Sequence, residues 1–158
     1  MSGPRDPRLA HLLEVAALEA AHLQDTLERL ASAPLDAAWV RALDRDPILA
    51  ERVDAFGARF GRLQDTLGHR LIPALLRALQ EPLGSALDNL DRMERLGLLD
   101  SVDTWVEARN LRNRLVHEYV RDPAAFAAAL DRARALTPML LETHHRLHRY
   151  ARDRLGPF

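Results

Sequence analysis

The chain has 158 residues, of which 47% are apolar and 28% are charged, and its formal net charge at pH 7 is −1. This composition is typical of one folded domain with a sizeable core, and it argues against a disordered chain and against a protein that coats nucleic acid over its whole surface. The absence of cysteine excludes disulfides, thiolate metal sites and a cysteine nucleophile.

The first two helices are predicted from aspartates placed as helix caps. Asp6 is followed by Pro7, the pair expected when an N-cap precedes a proline at the first helical position. Leucines recur at helical spacing after this pair, so we predict a helix that ends near Ala31. Asp36 then predicts a short helix that reaches Leu43.

The third helix is predicted to begin at a second such pair, Asp46 and Pro47, and to carry another apolar stripe. Gly68 or Pro73 should interrupt or kink it, because a proline removes a backbone donor and crowds the preceding turn. Apolar residues continue beyond this point, so we predict that the helix resumes and runs through Leu79.

The second half of the chain predicts three more helices. The first spans about residues 83–95 and ends at Gly97, which is placed as a C-cap. The next starts near Ser101 and has an aspartate in its first turn, where a negative charge favours the helix dipole. A third Asp-Pro pair starts the last helix, over about residues 122–154, in which Pro138 predicts a kink.

These elements together predict the fold class. No segment alternates apolar and polar residues in the way a strand does, and β-branched residues are scarce. We therefore predict an all-α protein, an up-and-down bundle of about five helices forming a single domain over residues 1–158. Neither a signal peptide nor a membrane-spanning stretch is evident, so a cytoplasmic location away from the membrane is expected.

One stretch, RNRLVHEY at residues 112–119, does not fit an ordinary packed helix. On a helical wheel of about 100° per residue, with Trp105 at zero, the apolar stripe extends from about 240° through zero to about 60°. Arg112 falls at about 340° and Arg109 at about 40°, so both lie inside the stripe. A guanidinium on the packed side needs an acidic partner, a subunit interface or a water-filled pocket, because an unpaired buried charge is very costly.

Asn113 and His117 lie on one edge of the same stripe, at about 80° and 120°, and their spacing lets the amide contact the imidazole. Arg112 and His117 diverge by about 140°. They can meet at one ligand if the arginine curls toward the edge or if a second copy of the helix completes the site across a two-fold axis. Alternatively, Arg112 is an internal residue paired with an aspartate and His117 is a half-buried structural residue. The candidate aspartates are Asp65, Asp88 and Asp91.

RNRLVHEY resembles the Rx4HxY motif of the HEPN superfamily, with Arg112, His117 and Tyr119 at the motif positions and Asn113 directly after the arginine. The surrounding tract ERLGLLDSVDTWVEARNLRNRLVHEY and the upstream RFGRLQDTLG are similar to the HepT toxins of HepT/MntA toxin–antitoxin pairs. The resemblance covers most of the chain and implies a HEPN-like helical bundle.

The same resemblance implies a metal-independent endoribonuclease that works as a homodimer, with the motifs of both protomers lining one cleft. It implies that His117 transfers a proton at the attacking 2′-OH or the leaving 5′-oxygen, that Arg112 neutralises the phosphorane and that Asn113 positions the imidazole or the phosphate. These residue types suit these roles, because an imidazole titrates near neutral pH and a guanidinium offers fork-like donors to phosphate oxygens. Arg109 and Arg121 could extend the binding of the RNA phosphates.

The resemblance also implies a partner, an MntA-like nucleotidyltransferase antitoxin that neutralises the toxin by attaching AMP to Tyr119. Phosphate added there would block the cleft by charge and bulk. Two alternatives stay open. The chain could be a non-catalytic partner subunit of a nucleotidyltransferase that helps to bind that enzyme's substrate, with Arg112, His117 and Tyr119 as a docking surface. It could also be a helical dimer whose motif is an internal polar network.

A second polar stretch, THHRLHRY, lies near the C-terminus. His144 and His148 have the i, i+4 spacing of a helical metal pair, but no HExxH motif, carboxylate triad or cysteine accompanies them. We therefore predict no metal site, and expect a cationic helix end that favours the dipole and covers solvent. The sequence also has no Gly-rich phosphate loop and no GxSxG motif, and no cofactor is predicted.

Overall fold

The computed structural model describes residues 6–117 and 121–158, and every secondary-structure element in these two ranges is helical. The helices are α1 (Pro7–Leu30), α2 (Ala37–Ala42), α3 (Pro47–Asp65), α4 (Ile72–Ala78), α5 (Ala86–Arg95), α6 (Val102–His117) and α7 (Pro123–Leu155). A 3₁₀ turn (Leu43–Arg45) follows α2, and a π-helical segment (Thr66–Leu71) joins α3 to α4. Five of the helices in the described ranges have ten residues or more, which confirms the predicted all-α bundle.

Aspartate caps begin the helices where the sequence predicts them. The carboxylates of Asp6, Asp46 and Asp122 each accept hydrogen bonds from amides of the first helical turn, at 2.9 to 3.4 Å. Asp36 does the same for α2, with its Oδ1 2.8 Å from the backbone nitrogen of Trp39. These bonds satisfy amides that have no partner inside the helix, so short-range chemistry is enough to place each start.

The predicted interruption after α3 is a change of helix type. The π-helical segment runs from Thr66 to Leu71, immediately before the turn that contains Pro73. Pro73 has no N–H to donate to the carbonyl four residues back, and a wider π turn accommodates that loss without breaking the rod. Gly68 lies inside this segment, where an added Cβ would be 3.3 Å from the indole of Trp105, so α6 packs close to the backbone here.

Helix α5 starts later than predicted. Ser85 and Asp88 form a capping box: Ser85 Oγ accepts from the Asp88 amide at 3.1 Å, and the Asp88 carboxylate accepts from the Ser85 amide at 3.0 Å. The capping box places the first helical residue at Ala86, because it satisfies the amide of the N-cap residue Ser85 and that of Asp88 in the first turn. Gly97 ends this region with a φ of +74°, in the left-handed region that favours glycine, which confirms its predicted role after the helix.

The last helix, α7, is a single element of 33 residues. α7 passes through Pro138 without a break, and the hydroxyl of Thr137 donates to the carbonyl of Ala133 at 2.8 Å. Arg134 fixes α7 to the end of α1, since its Nη1 donates to the carbonyls of Leu30 and Ala33 at 2.9 and 2.6 Å. These bonds satisfy carbonyls at a helix end that lack intrahelical partners.

Helix α6, which carries the RNRLVHEY arginine, packs between α3 and α7. Gly61 of α3 lies against Arg112, and Gly68, farther along the chain, lies against Trp105. Residue numbers therefore rise along α3 as they fall along α6, so the two helices are antiparallel. Trp105, Phe56 and Phe60 are among the largest fully buried side chains of the core beneath them. Among the described residues, no helix combines the length and apolar character that a membrane crossing requires.

Candidate functional site

Arg112 lies on the packed side of α6, as the helical wheel predicts, but it is not sealed in the core. Its Nη1 lies 2.5 Å from Oδ1 of Asp65 on α3, one of the three carboxylates considered as partners. The side chain of Arg112 remains 40% exposed and that of Asp65 35% exposed. The alternative that Arg112 pairs with an aspartate is therefore correct about the partner. The two charges, however, meet at an open edge of the bundle and not inside it.

The pair lies in an open groove between α3, α6 and the start of α7, with a volume of about 490 Å³. One wall is a single face of α3, on which Ala58, Arg62 and Asp65 follow one another. The floor is mostly apolar, and its side chains come from the other two helices: Leu115, Phe126 and Leu130. A charged group above an apolar floor can orient an anionic ligand while the floor limits access of water.

His117 and Asn113 are both exposed, and neither lines this groove. Arg112 contributes to the groove from the packed side of α6, while His117 stands at the end of the described part of that helix. The angular divergence expected from the wheel is therefore present within one chain. The structure does not bring the guanidinium and the imidazole together in a single protomer's groove.

The other residues predicted to belong to the site do not line this groove either, as far as the structure describes them. Tyr119 lies outside the described residues. Arg121 is exposed just before α7. The expectation that Arg109 lies inside the apolar stripe is wrong, because Arg109 is exposed and borders a small pocket with His69. The wheel assumes a stripe of constant width and does not show which of its residues the neighbouring helices cover.

Two residues on or next to α3 join the site without having been singled out as functional. Asp65 appears in the sequence only as one possible ion-pair partner, and His69 follows it after one helical turn. His69 Nε2 lies 3.9 Å from the same Asp65 oxygen that contacts Arg112, and the histidine side chain is 52% exposed. The i, i+4 spacing of Asp65 and His69 is the signal that could have linked them. Their contact with α6 depends on how the helices pack.

One of the C-terminal histidines, His144, departs from the cationic, solvent-covering cluster expected from the sequence. His144 is buried, with neither ring nitrogen hydrogen-bonded within the described part of the chain. Burial lowers the pKa of His144 to about 4, with smaller contributions from His145 and His148, so this imidazole is neutral at pH 7. The expectation fails for His144 because this residue lies on the buried face of α7, between the buried Leu140 and Leu147. No group of three or more potential ligands able to hold a metal occurs in residues 6–117 and 121–158.

No family model, curated protein or solved structure matches this chain. A guanidinium whose position is set by Asp65 faces an opening, and the exposed guanidinium of Arg62 lines the same groove. Planar guanidinium groups bind the oxygens of phosphate through paired N–H donors, and here the two arginines share the groove with the carboxylates of Asp54 and Asp65.

Proposed function

We propose that this protein is a metal-independent endoribonuclease of the HEPN type, a toxin that acts as a homodimer on RNA in the cytoplasm. The observation that carries the proposal is Arg112. It lies on the packed face of α6, yet its side chain is 40% exposed and lines an open groove. An arginine in this position is accessible to a phosphodiester, whose oxygens its N–H donors can bind. The exposed His117, at the histidine position of the Rx4HxY pattern, supplies the proton-transfer group.

The proposed reaction uses the RNA's own 2′-hydroxyl. The 2′-oxygen bonds to phosphorus while the bond from phosphorus to the 5′-oxygen breaks, leaving a 2′,3′-cyclic phosphate and a 5′-hydroxyl. His117 transfers a proton at the attacking or the leaving oxygen, and Arg112 stabilises the charge on the phosphorane. Asn113 positions the imidazole or the phosphate, and Arg109 and Arg121, both exposed, contact neighbouring phosphates. No step of this reaction requires a metal ion.

In this proposal, a second copy of the chain brings an arginine and a histidine together at one site. Arg112 and His117 of one protomer diverge around α6, so a complete site needs the corresponding residues of another protomer across a two-fold axis. Val116 supports this arrangement, because it lines the groove beside Arg112 and yet is 72% exposed. An apolar side chain at that position is covered when two α6 helices pack together, and the arginines then lie beside a cleft shared by the two protomers.

A specific observation favours the alternative, a non-catalytic partner subunit of a nucleotidyltransferase. Asp65 neutralises Arg112 in the single chain, and His117 stands apart from the groove. On this alternative, the same surface binds the transferase or part of its nucleotide substrate, and no RNA is cut. The groove and its exposed arginines suit either ligand, because both RNA and nucleotides present phosphate oxygens.

An RNA cleavage assay in the presence of a chelator tests the ribonuclease proposal. The purified protein should cut RNA in EDTA and leave 2′,3′-cyclic phosphate ends. His117→Ala should lower the rate by roughly 100-fold or more, because it removes the group that transfers the proton. His145→Ala is the matched control, since His145 is exposed and lies on a different helix. Intact RNA with clean wild-type protein, together with tight binding to a nucleotidyltransferase, would favour the alternative.

The proposed regulation has its own test. An MntA-like nucleotidyltransferase antitoxin is expected to attach AMP to Tyr119, where added phosphate blocks the cleft by charge and bulk. Mass spectrometry of the co-expressed pair should show one or more AMP units on the peptide that contains Tyr119, and Tyr119→Phe should abolish this mass gain. The modified protein should no longer cut RNA. An unmodified tyrosine in an inactive, co-expressed toxin would contradict this mechanism.

A further inference from the structure

The stem of Arg112 lies directly against the backbone of α3. A Cβ atom built on Gly61 would lie 2.9 Å from Nε of Arg112 and 3.0 Å from both Cδ and Cγ. These separations are shorter than ordinary van der Waals contact, so any side chain at position 61 would push the arginine away. Gly61 is buried, and the space that a side chain would fill there is occupied by the arginine stem.

One helical turn later, Asp65 holds the charged end of the same side chain. Its Oδ1 lies 2.5 Å from Nη1 of Arg112, and His69 Nε2 approaches that oxygen to 3.9 Å. The carboxylate therefore lies between a guanidinium and an imidazole that are both open to solvent. Gly61 and Asp65 are four residues apart on α3, so they lie on the same face of the helix and contact two parts of one arginine.

We propose that Asp65 and Gly61 are positioning residues for Arg112: Gly61 provides the channel for its stem and Asp65 fixes the direction of its guanidinium. This inference rests on the proposed ribonuclease function, because it assigns to these residues the task of presenting Arg112 to the phosphate that is cut. Neither residue contacts the RNA in this account, and both act through the arginine. The sequence motif around Arg112 contains neither of them.

The expected kinetic consequence follows from the charges. The Arg112–Asp65 pair is formally neutral, so it adds little to the attraction of RNA from solution. A guanidinium has five N–H donors, and those not directed at Asp65 remain available to the phosphate oxygens. A preformed orientation helps most when charge develops on the phosphorane. Loss of the anchor should therefore lower kcat and leave KM nearly unchanged.

Asp65→Asn tests this directly, because it keeps the size of the side chain and removes its charge. We expect kcat to fall by roughly 10- to 100-fold, the effect of a small misplacement of a catalytic group, with KM changed by less than about threefold. In an Arg112→Gln background, which removes the cation that Asp65 contacts, the same substitution should have no further effect, since Asp65 acts only through the arginine. An Asp65→Asn protein that cuts RNA as fast as wild type, or faster, would overturn the proposal. An effect that adds to that of Arg112→Gln would do so as well.

The mobility of the Arg112 side chain can be measured by NMR without any activity assay, with Gly61→Ala as the test variant and Gly57→Ala as its control. In ¹⁵N-arginine-labelled protein, the Nε–Hε signal of Arg112 is identified by its absence from Arg112→Lys. We expect this signal to show hindered rotation in the wild type and to become averaged in Gly61→Ala and Asp65→Asn. Gly57→Ala should leave the signal unchanged, because a Cβ at position 57 meets no atom within 4 Å.

The two measurements separate failure of this inference from failure of the ribonuclease proposal. If wild-type protein does not cut RNA but the Arg112 signal responds as expected, the positioning by α3 stands and the proposed reaction fails. If wild-type protein cuts RNA while its Arg112 signal is that of a freely rotating side chain, the positioning is wrong and the reaction stands. Circular dichroism of each variant establishes that the helical fold is retained.

Discussion

At the scale of single residues, the molecule accommodates charge on packed helix faces by placing it at the edge of the core. Arg112 keeps its stem against Gly61 and its charged end at an opening. His144 shows the opposite solution, since it is buried, lacks hydrogen-bond partners within the described residues and is held neutral by its surroundings. Long side chains can keep their charge in water, whereas a short imidazole in the core loses its charge.

The buried imidazole predicts a dependence of stability on pH. His144 titrates at about 4 in the folded chain and near its ordinary value of 6.5 when unfolded. Between these values the unfolded state binds the proton more strongly, so the free energy of unfolding falls as the pH is lowered from about 6.5 to about 4. Below that range this group causes no further loss. The difference corresponds to roughly 3 kcal/mol in total.

His144→Leu should remove this part of the acid sensitivity. The substitution replaces an imidazole without hydrogen-bond partners by an apolar side chain, so it should cost little at pH 7. Urea unfolding at pH 7 and pH 4.5 measures the loss on acidification, which should be clearly smaller in the variant than in the wild type. His11→Leu, on an exposed face of α1, is the control and should behave like wild type. Equal losses in wild type and His144→Leu would contradict the assignment.

At the scale of elements, turns and helix ends are determined by a few residues with special backbone requirements. Aspartates begin α1, α2, α3 and α7, and the turn after α5 requires a positive φ at Gly97. The π-helical segment before Pro73 keeps α3 and α4 in one rod while shifting the register of the side chains. That shift follows directly after Asp65 and includes His69, so the change of helix type lies beside the candidate site.

Replacement of glycine by alanine should change the free energy of unfolding in opposite directions at Gly97 and Gly57. Gly97→Ala should lower the free energy of unfolding by about 1 kcal/mol, because a residue with a Cβ is strained at a φ of +74°. Gly57→Ala lies inside α3 with open space around it, and should raise stability by roughly 0.5 to 1 kcal/mol through higher helix propensity. Urea denaturation of both variants measures the difference. A stabilised Gly97→Ala protein would show that the turn tolerates a different backbone.

At the scale of the whole molecule, the groove leaves apolar side chains open to solvent. Its floor is apolar, its edge carries the arginine, and the neighbouring Val116 is exposed. Exposed apolar residues next to a functional groove often mark an interaction site. The homodimer of the proposed function covers this surface and supplies, from the second protomer, the residues that a single chain does not bring together.

Val116→Asp should weaken this dimer. A carboxylate at the centre of a two-fold interface faces its own copy and is desolvated, so we expect the dissociation constant to rise by roughly 10- to 100-fold, with RNA cleavage falling in parallel. Sedimentation velocity over a concentration series measures the change. Leu18→Asp is the control, because Leu18 is also an exposed apolar residue but lies on α1. Dimers of Val116→Asp as stable as those of wild type would contradict the proposed interface.

Much of the fold could be predicted from local chemistry along the chain. Asp-Pro pairs, a glycine after α5 and apolar residues at helical spacing lead to nearly the observed helices, since caps and turns depend on residues only a few positions apart. The start of α5 differs from expectation. It depends on a capping box between Ser85 and Asp88, whose hydrogen bonds act against the propensity signal of the preceding residues.

The candidate site shows where local chemistry stops being sufficient. The helical wheel places Arg112 on the packed side, but it cannot choose among three aspartates, and it places Arg109 on the wrong side of the boundary. Asp65 becomes the partner because α3 and α6 pack in antiparallel fashion, with a glycine at their contact. The burial of His144 has the same origin. Hydrogen bonds within a turn depend on neighbouring residues, whereas ion pairs and burial depend on which helix faces span the core, and only the packed bundle specifies that.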